Sequence, residues 1–249
     1  VMRDREFIRR LIDRAKAAGC SALVLTLDLQ VMGQRHKDIR NGLTAPPRMT
    51  VANLVDLATK PRWCLNMLRT QRRTFRNIAG HAQGVDDLRA LSSWTNQQFD
   101  PTLCWDDVKW IRDRWGGKLI LKGILDAEDV EPAIATGADA IIVSNHGGRQ
   151  LDGALSSIRA LPAIVDAVGG RTEVHFDGGI RSGQDVLKAI ALGARGVYVG
   201  RAFLYGLGAM GEAGVTLALA ILRKELDVAL GYLGCRSISE LNRDCIHRS

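Results

Sequence analysis

Over its second half, the chain alternates short apolar runs with amphipathic stretches. The apolar runs predict strands at 119–123 (LILKG), 140–145 (AIIVSN), 173–177 (EVHFD) and 196–200 (GVYVG). The stretches between them have the period of helices, at 127–136, 156–168 and 184–192. The runs are almost wholly apolar, as is typical of strands that are covered on both faces. The pattern therefore predicts an α/β fold with a parallel sheet of βα units.

One further βα unit lies nearer the start of the chain. Residues 7–18 have the pattern of an amphipathic helix, and residues 22–27 (ALVLTL) have that of a buried strand. No clear strand follows until residue 119, although residues 51–80 are amphipathic and residues 105–115 have a helical period. A connection of this length inside a compact domain is usually functional. We therefore interpret residues 51–80 as a basic amphipathic insertion.

Polar residues and glycines follow the predicted strands at their carboxyl ends. They are Thr26, Asp28, Lys122, Ser144, His146, Asp177, Gly200 and Arg201. In parallel α/β sheets and barrels the ligand site lies at this end of the strands. We therefore expect these residues to share one site.

His146 opens the segment SNHGGRQ directly after a buried strand. A histidine in this place suits a general base, and Asp28 could orient it. Arg149 and Arg35 carry planar guanidinium groups that suit a substrate carboxylate. The alternative is an ordinary hydrogen-bonded loop histidine.

Lys122 ends an otherwise apolar strand. Its amine could form a Schiff base with a carbonyl substrate, or it could act as a fixed positive charge beside a cofactor ring. A purely structural ion pair is the third interpretation.

The segment DGGIRSG at 177–183, with Gly200 and Arg201 at the next strand end, has the composition of a phosphate cradle. The last two strand-end loops of a (β/α)8 barrel commonly bind phosphate through backbone N–H groups. A turn-only role for these glycines is the alternative. The G-x-G-x-x-G match at 206–211 does not follow a strand directly, so we do not interpret it as a dinucleotide site.

Together, LTLD, LKGI, SNHGGRQLDG, FDGGIRSGQDVLKA and YVGR resemble the FMN-dependent α-hydroxy acid dehydrogenase and oxidase family. The resemblance runs along the whole chain and is most specific between Lys122 and Arg201. Residues 33–41 and 51–115 are most similar to the lactate-oxidising members. The resemblance thus implies FMN-dependent oxidation of a small L-2-hydroxy acid, with L-lactate to pyruvate as the first expectation. Glycolate or another 2-hydroxy acid with oxygen as acceptor is the alternative.

The resemblance also implies a role for each candidate residue. His146 would be the base and Asp28 its partner, while Arg35 and Arg149 would bind the substrate carboxylate. The cofactor-binding residues would be Thr26 and Ser144 at the isoalloxazine, Lys122 at its pyrimidine edge, and, around the ribityl phosphate, Asp177, Gly178, Gly179, Arg181, Gly200 and Arg201. No metal is implied.

The implied fold is a (β/α)8 TIM barrel of the FMN-linked oxidoreductase type. In such a barrel three strands would precede Val1, so we expect residues 1–249 to be the C-terminal part of a single domain. Two alternatives stay open: a flavin-free phosphate-binding barrel with a Lys122 Schiff base, and an inactive barrel fragment.

Most of the net charge of +7 lies in one segment of the chain. Residues 57–80 hold six basic side chains and no acidic one, so the rest of the chain carries only +1. This does not indicate nucleic-acid binding. Because apolar residues are interleaved with the basic ones, residues 57–80 predict peripheral contact with an anionic membrane, against the alternative of a solvated basic loop.

The remaining expectations concern the surroundings of the protein. No apolar run is long enough to span a bilayer, and five scattered cysteines indicate reduced thiols. We expect a cytoplasmic protein on the inner face of the cell membrane, with a quinone or cytochrome as electron acceptor. A homo-oligomer is also expected.

Overall fold

Contacts within the chain divide it into two units. A computed structural model describes residues 3–31, 33–42, 50–70, 77–78, 94 and 97–246. The first unit comprises Val1–Gly19 and Leu29–Thr102, and the second comprises Cys20–Asp28 and Leu103–Ser249. All five predicted strands belong to the second unit.

The described helices of the first unit are α1 (Arg5–Ala17), α2 (His36–Arg40), α3 (Val51–Ala58) and α4 (Pro61–Arg69). Asp4 caps α1, because its carboxylate accepts a hydrogen bond from the Phe7 N–H at 2.8 Å. Phe7 is fully buried, and its ring meets the ring of Trp94 edge-on at a centroid distance of 4.9 Å. By contrast, α3 and α4 bury none of their residues.

The second unit is built on a parallel sheet. Its strands are β1 (Ala22–Thr26), β2 (Lys118–Ile124), β3 (Ala140–Val143), β4 (Glu173–Phe176) and β5 (Gly196–Val197). The strands pair in chain order from β1 to β5. A doubly wound sheet would reverse its strand order, whereas consecutive parallel strands are the arrangement of a (β/α)8 barrel. The predicted strands are confirmed, with β5 shorter than its sequence pattern.

Helices follow the strands of this unit. They are α5 (Trp105–Trp115), α6 (Val130–Ala135), α7 (Ser157–Val168), α8 (Gly183–Ala191), α9 (Arg201–Met210) and α10 (Glu212–Tyr232). Short 3₁₀ turns lie at Ala127–Asp129, His146–Gly148, Ile238–Glu240 and Arg243–Cys245. The predicted helices from 105 onward are present within a few residues of their expected bounds.

The core lies on one face of the sheet. Leu119, Leu121, Ile141, Val143 and Phe176 alternate along the strands and are at most 1% exposed, with helices packed over them. Burying side chains of this size contributes about 1.5–3 kcal/mol each. On the other face, Ala140 and Ile142 of β3 are also at most 3% exposed, whereas Lys122 and His175 on the flanking strands are half-buried.

Gly206, the first glycine of the pattern at 206–211, is explained by helix packing. Gly206 lies within α9 rather than in a strand-to-helix turn, and its closest neighbour is Gly214 of α10. A Cβ added to Gly206 would lie 2.3 Å from the Gly214 carbonyl oxygen, and one added to Gly214 would lie 2.0 Å from that of Gly206. The two glycines therefore allow α9 and α10 to pack with their backbones in contact.

Candidate active site

The carboxyl ends of the strands surround a cavity of about 520 Å³. Nine of the residues predicted from the sequence line it: Lys122, His146, Arg149, Asp177, Gly178, Gly179, Arg181, Gly200 and Arg201. They come from the ends of four different strands, which parallel pairing brings to one edge of the sheet. The expected clustering of these residues is therefore present.

His146 is paired with Asp28. The distance from His146 Nδ1 to the two carboxylate oxygens of Asp28 is 3.2 and 3.3 Å. Because a carboxylate accepts hydrogen bonds, this pairing places the imidazole proton on Nδ1 and leaves Nε2 able to accept a proton. Both side chains are mostly buried, at 26% and 17% exposure. The pair therefore has the arrangement of a general base held by a carboxylate.

The backbone at His146 is strained. Its φ of +56° is the single positive value for a non-glycine residue in the described part of the chain. The turn is held by hydrogen bonds from the His146 N–H to Ser144 Oγ at 3.1 Å and from the Gly148 N–H to Asn145 Oδ1 at 3.2 Å. Strained backbone that its surroundings hold in place is typical of functional sites.

Gly123 is a residue that sequence analysis did not select. It has a φ of +106° and lies where the register between β2 and β3 shifts. A Cβ added at this position would lie 2.8 Å from both Cβ and Cγ of Asp28. Only a glycine at position 123 leaves room for the Asp28 carboxylate to pack against β2. A glycine within an otherwise apolar strand was the available signal.

Lys122 is held by two partners. Its Nζ donates to Ser144 Oγ at 2.8 Å and lies 3.1 Å from Asp177 Oδ2. An ammonium paired with a carboxylate is charged, and a charged ammonium is not a nucleophile. The contacts therefore favour a fixed positive charge over a Schiff-base amine.

Asp177 retains an unused acceptor. Its Oδ1 is buried and makes no hydrogen bond within the described structure. A buried carboxylate oxygen without a partner is costly, so it normally receives a hydrogen bond from a bound group. A hydroxyl donor in the cavity would satisfy it.

The two predicted phosphate loops differ in whether their backbone N–H groups remain available to a ligand. At the start of α8, the Asp185 carboxylate accepts from the Arg181 and Ser182 N–H groups, both at 2.9 Å. The Gly183 N–H donates to Glu225 Oε2 at 2.8 Å. These donors of α8 are therefore already used by the protein.

The start of α9 has no such cap. Gly200 is its N-cap residue and supplies no side chain, and Gly200 and Arg201 both line the cavity. Gly179 also faces open space, because a Cβ added there would meet nothing within 4 Å. Open N–H groups at a helix N-terminus beside an arginine suit an anion such as phosphate. The residues therefore fit a phosphorylated ligand, with its phosphate at α9.

The remaining predicted residues lie as follows. Thr26 ends β1 and is the register partner of Lys122, so both face the same side of the sheet. Ser144 is fully buried, and its hydroxyl oxygen accepts a hydrogen bond from Lys122 Nζ. Arg35 belongs to the first unit, where it is exposed and immediately precedes α2. Tyr198 lines the cavity and was not selected from the sequence.

Comparison with known proteins identifies the family. A family model described as FMN-dependent dehydrogenase matches residues 1–248. The chain belongs to this family. FMN is the cofactor on which the family depends, so the cofactor predicted from the resemblance is confirmed at the level of the family.

Two bacterial relatives are similar over nearly the whole chain. An L-lactate dehydrogenase of Caulobacter vibrioides is 48% identical over 246 residues, which is 97% of this chain and 63% of that protein. An L-lactate dehydrogenase of Pseudomonas entomophila is 47% identical over 249 residues, which is 100% of this chain and 65% of that protein. The chain thus spans just under two thirds of the length of these relatives.

Solved structures agree on the fold. A structure titled as the monotopic membrane protein (S)-mandelate dehydrogenase matches with a TM-score of 0.92 and 38% identity, over 98% of this chain and 65% of that one. A mandelate oxidase with (S)-4-hydroxymandelic acid matches with a TM-score of 0.75 and 40% identity, over 97% and 62%. The predicted FMN-linked TIM-barrel class is confirmed, and this chain covers part of that fold.

Proposed function

We propose that this protein oxidises a small L-2-hydroxy acid with bound FMN as the electron acceptor, and that its substrate is L-lactate, which becomes pyruvate. The observation that carries the proposal is the His146–Asp28 pair at the rim of a cavity that also holds Lys122 and Arg149. The similarity to two L-lactate dehydrogenases supports lactate as the substrate.

The chain's own residues account for substrate binding and proton transfer. Arg149, which lines the cavity, binds the substrate carboxylate through its guanidinium group. Arg35 is proposed for the same role from the family resemblance alone. His146 Nε2 accepts one of the two protons that the hydroxy acid loses on oxidation, and bound FMN would take up the two electrons and the other proton. Asp28 keeps the Nδ1 proton in place and stabilises the imidazolium that results.

Bound FMN would supply the two-electron acceptor that amino-acid side chains lack. Lys122 places a positive charge beside the ring, and Thr26 and Ser144 offer hydroxyl groups on the same side of the sheet. The Arg181 and Arg201 side chains and the backbone N–H groups of Gly179 and Gly200 would hold the phosphate, with Gly178 in the same loop. Asp177 Oδ1 would accept from a hydroxyl of the cofactor, because a carboxylate repels a phosphate.

The proposal is tested by mixing the FMN-loaded protein with substrates in the absence of oxygen. We expect L-lactate to bleach the oxidised flavin absorbance, and D-lactate to leave it unchanged. (S)-mandelate and glycolate serve as competing substrates, since mandelate-oxidising proteins are among the structural relatives. Bleaching by (S)-mandelate but not by L-lactate would contradict the assignment of lactate.

The flavin-free alternative is tested separately. A Schiff base at Lys122 would be trapped by borohydride in the presence of a carbonyl substrate. We expect no such adduct on Lys122, because its ammonium is paired with Asp177. A Lys122→Arg variant keeps the charge and provides the control.

We further propose that α3 and α4 contact an anionic membrane surface. Seven large apolar side chains of these helices are 40–78% exposed: Val51, Leu54, Val55, Trp63, Leu65, Met67 and Leu68. Arg62 and Arg69 of α4 lie among them, and Lys60, between the two helices, forms an ion pair with Asp56 of α3. Exposed apolar residues interleaved with basic ones suit a lipid interface, and a structural relative is titled a monotopic membrane protein. Arg72, Arg73 and Arg76, part of the same predicted segment, lie outside the described residues.

No helix among the described residues has the length and apolarity needed to cross a bilayer. The contact that we propose lies at the surface of the membrane, on the inner face of the cell membrane. A membrane quinone would then be the electron acceptor, with a cytochrome as the alternative. Reoxidation of the reduced protein by a soluble quinone analogue, compared with oxygen, separates the quinone-dependent from the oxidase proposal.

A homo-oligomer is proposed from the family alone, and sedimentation measures it.

Reversal of the three charges, Lys60→Glu with Arg62→Glu and Arg69→Glu, is expected to reduce binding to phosphatidylglycerol vesicles by more than about tenfold. Each basic residue near an anionic surface contributes about 1 kcal/mol. Vesicle sedimentation measures the binding. The matched control reverses three exposed basic residues of the second unit, Lys109, Arg159 and Arg223, and should bind like the unmodified protein. Equal losses in both triple variants would contradict a localised membrane contact.

A further inference from the structure

A second cluster of titratable side chains lies on the same side of the sheet as Lys122. His175 of β4 shares a register row with Lys122, with Ile142 of β3 between them. His175 Nε2 lies 3.1 Å from Glu173 Oε2, and His175 Nδ1 lies 2.8 Å from the Tyr198 hydroxyl. The three side chains therefore form one hydrogen-bonded series. The proposed roles of His146 and Lys122 do not use it.

The strand sequences explain how this series forms. Gly196 of β5 is the register partner of His175, and a Cβ added to Gly196 would lie 3.8 Å from the imidazole ring. The ring therefore lies over a residue without a side chain and can reach Tyr198. The Tyr198 N–H donates to the Phe176 carbonyl at 2.9 Å, which fixes the backbone beyond β5.

The partners of His175 determine which way each hydrogen bond runs. The Glu173 carboxylate can only accept, so Nε2 carries a proton. In the neutral imidazole Nδ1 is then the acceptor, and the Tyr198 O–H donates to it. The tyrosine oxygen consequently offers its lone pairs to a further donor.

Tyr198 is the member of this hydrogen-bonded series that lines the cavity, together with Lys122 and Asp177. Its side chain is 40% exposed. Partial burial, followed by the negative charges of Glu173 and Asp177, raises the pKa of the Tyr198 hydroxyl above its usual value. The hydroxyl thus stays protonated and can take part in hydrogen bonds to a ligand.

We propose that Tyr198 is a cofactor-binding residue: its hydroxyl hydrogen-bonds to FMN bound beside Lys122, and His175, held by Glu173, is the positioning residue that makes the Tyr198 oxygen an acceptor. The inference rests on the proposed FMN-dependent function and adds two residues to it. Because the Tyr198 O–H donates to His175 Nδ1, the Tyr198 oxygen accepts a hydrogen bond from the cofactor.

The register neighbours of His175 leave Glu173 to orient the imidazole. The neighbouring positions on β3 and β5 are Ile142 and Gly196, which carry no charge. The Glu173 carboxylate therefore sets the tautomer of His175, and through it the direction of the Tyr198 hydrogen bond.

The test measures FMN affinity by fluorescence quenching. Removing one hydrogen bond by Tyr198→Phe should weaken FMN binding about three- to tenfold. Tyr205→Phe is the matched control, because this tyrosine of α9 is 74% exposed and should leave the affinity unchanged. A Tyr198→Phe protein that binds FMN like the unmodified protein would overturn the proposal.

A measurement without FMN tests the hydrogen-bond directions themselves. We expect ¹⁵N NMR of His175 to show the Nε2–H tautomer at high pH, and Glu173→Gln to populate the other tautomer as well. A dominant Nδ1–H tautomer in the unmodified protein would refute the inference, whatever the activity. If the unmodified protein shows the expected tautomer but binds no FMN, the proposed function fails, and the assignment of Tyr198 to the cofactor fails with it.

Discussion

His146→Ala is expected to slow the reduction of bound FMN by L-lactate about 10²–10⁴-fold, which is the usual contribution of a positioned general base. FMN should stay bound, because His146 contacts Asp28 and Ser144 rather than the α9 N-terminus. Stopped-flow absorbance under anaerobic conditions gives the reduction rate, and flavin fluorescence gives the occupancy. The two measurements separate loss of the base from loss of the cofactor.

Asp28→Asn provides a second variant of the same pair. An amide at this position can donate to His146 Nδ1 and thereby place the imidazole proton on Nε2, where it blocks the base. We expect a loss of rate of the same order, with FMN retained. His36→Ala, at an exposed position that begins α2, is the control and should reduce FMN normally. Normal flavin reduction in the His146→Ala variant would disprove its role as the base.

Gly123→Ala is expected to destabilise the protein by about 2–4 kcal/mol, from backbone strain at a positive φ together with overpacking. The added methyl would lie 2.8 Å from Asp28, so the carboxylate must move. Because a displacement of about 1 Å can cost roughly 10²-fold in rate, flavin reduction should fall by about that factor in the folded variant. Urea unfolding and stopped-flow reduction measure the two effects.

The matched control is Gly116→Ala. Gly116 ends α5 with a φ of +68°, but a Cβ added there would meet nothing within 4 Å. This variant carries the conformational cost alone, about 1 kcal/mol, and should reduce FMN at the normal rate. If both alanine variants lose stability equally and neither loses rate, then Gly123 does not position Asp28.

The strands and the clustering of the candidate residues followed from local patterns. An apolar run of four or five residues bounded by polar ones identifies a buried parallel strand, and such strands must place their following residues at one edge. For this reason the sequence alone predicts that His146, Lys122 and Asp177 share one candidate site. The family resemblance then supplied the cofactor.

Other features depended on contacts between residues far apart in the chain. Gly123 matters because Asp28, 95 positions earlier, packs against it. The loop DGGIRSG and the start of α9 were predicted together as one phosphate cradle, but the N–H groups of Arg181, Ser182 and Gly183 are used by Asp185 and by Glu225 of a later helix. The start of α9 has no comparable cap, and no local pattern distinguishes the two.

By itself, the sequence determined the parallel sheet, the strand-end location of the site and the family, because periodicity and short motifs are local properties. The tertiary structure decided which groups are paired and which are still open to a ligand. It joined His175 to Tyr198, left one oxygen of Asp177 without a partner, and paired Lys122 with a carboxylate. Hydrogen bonding and steric exclusion act through space, so these outcomes became definite only when the strands were placed side by side.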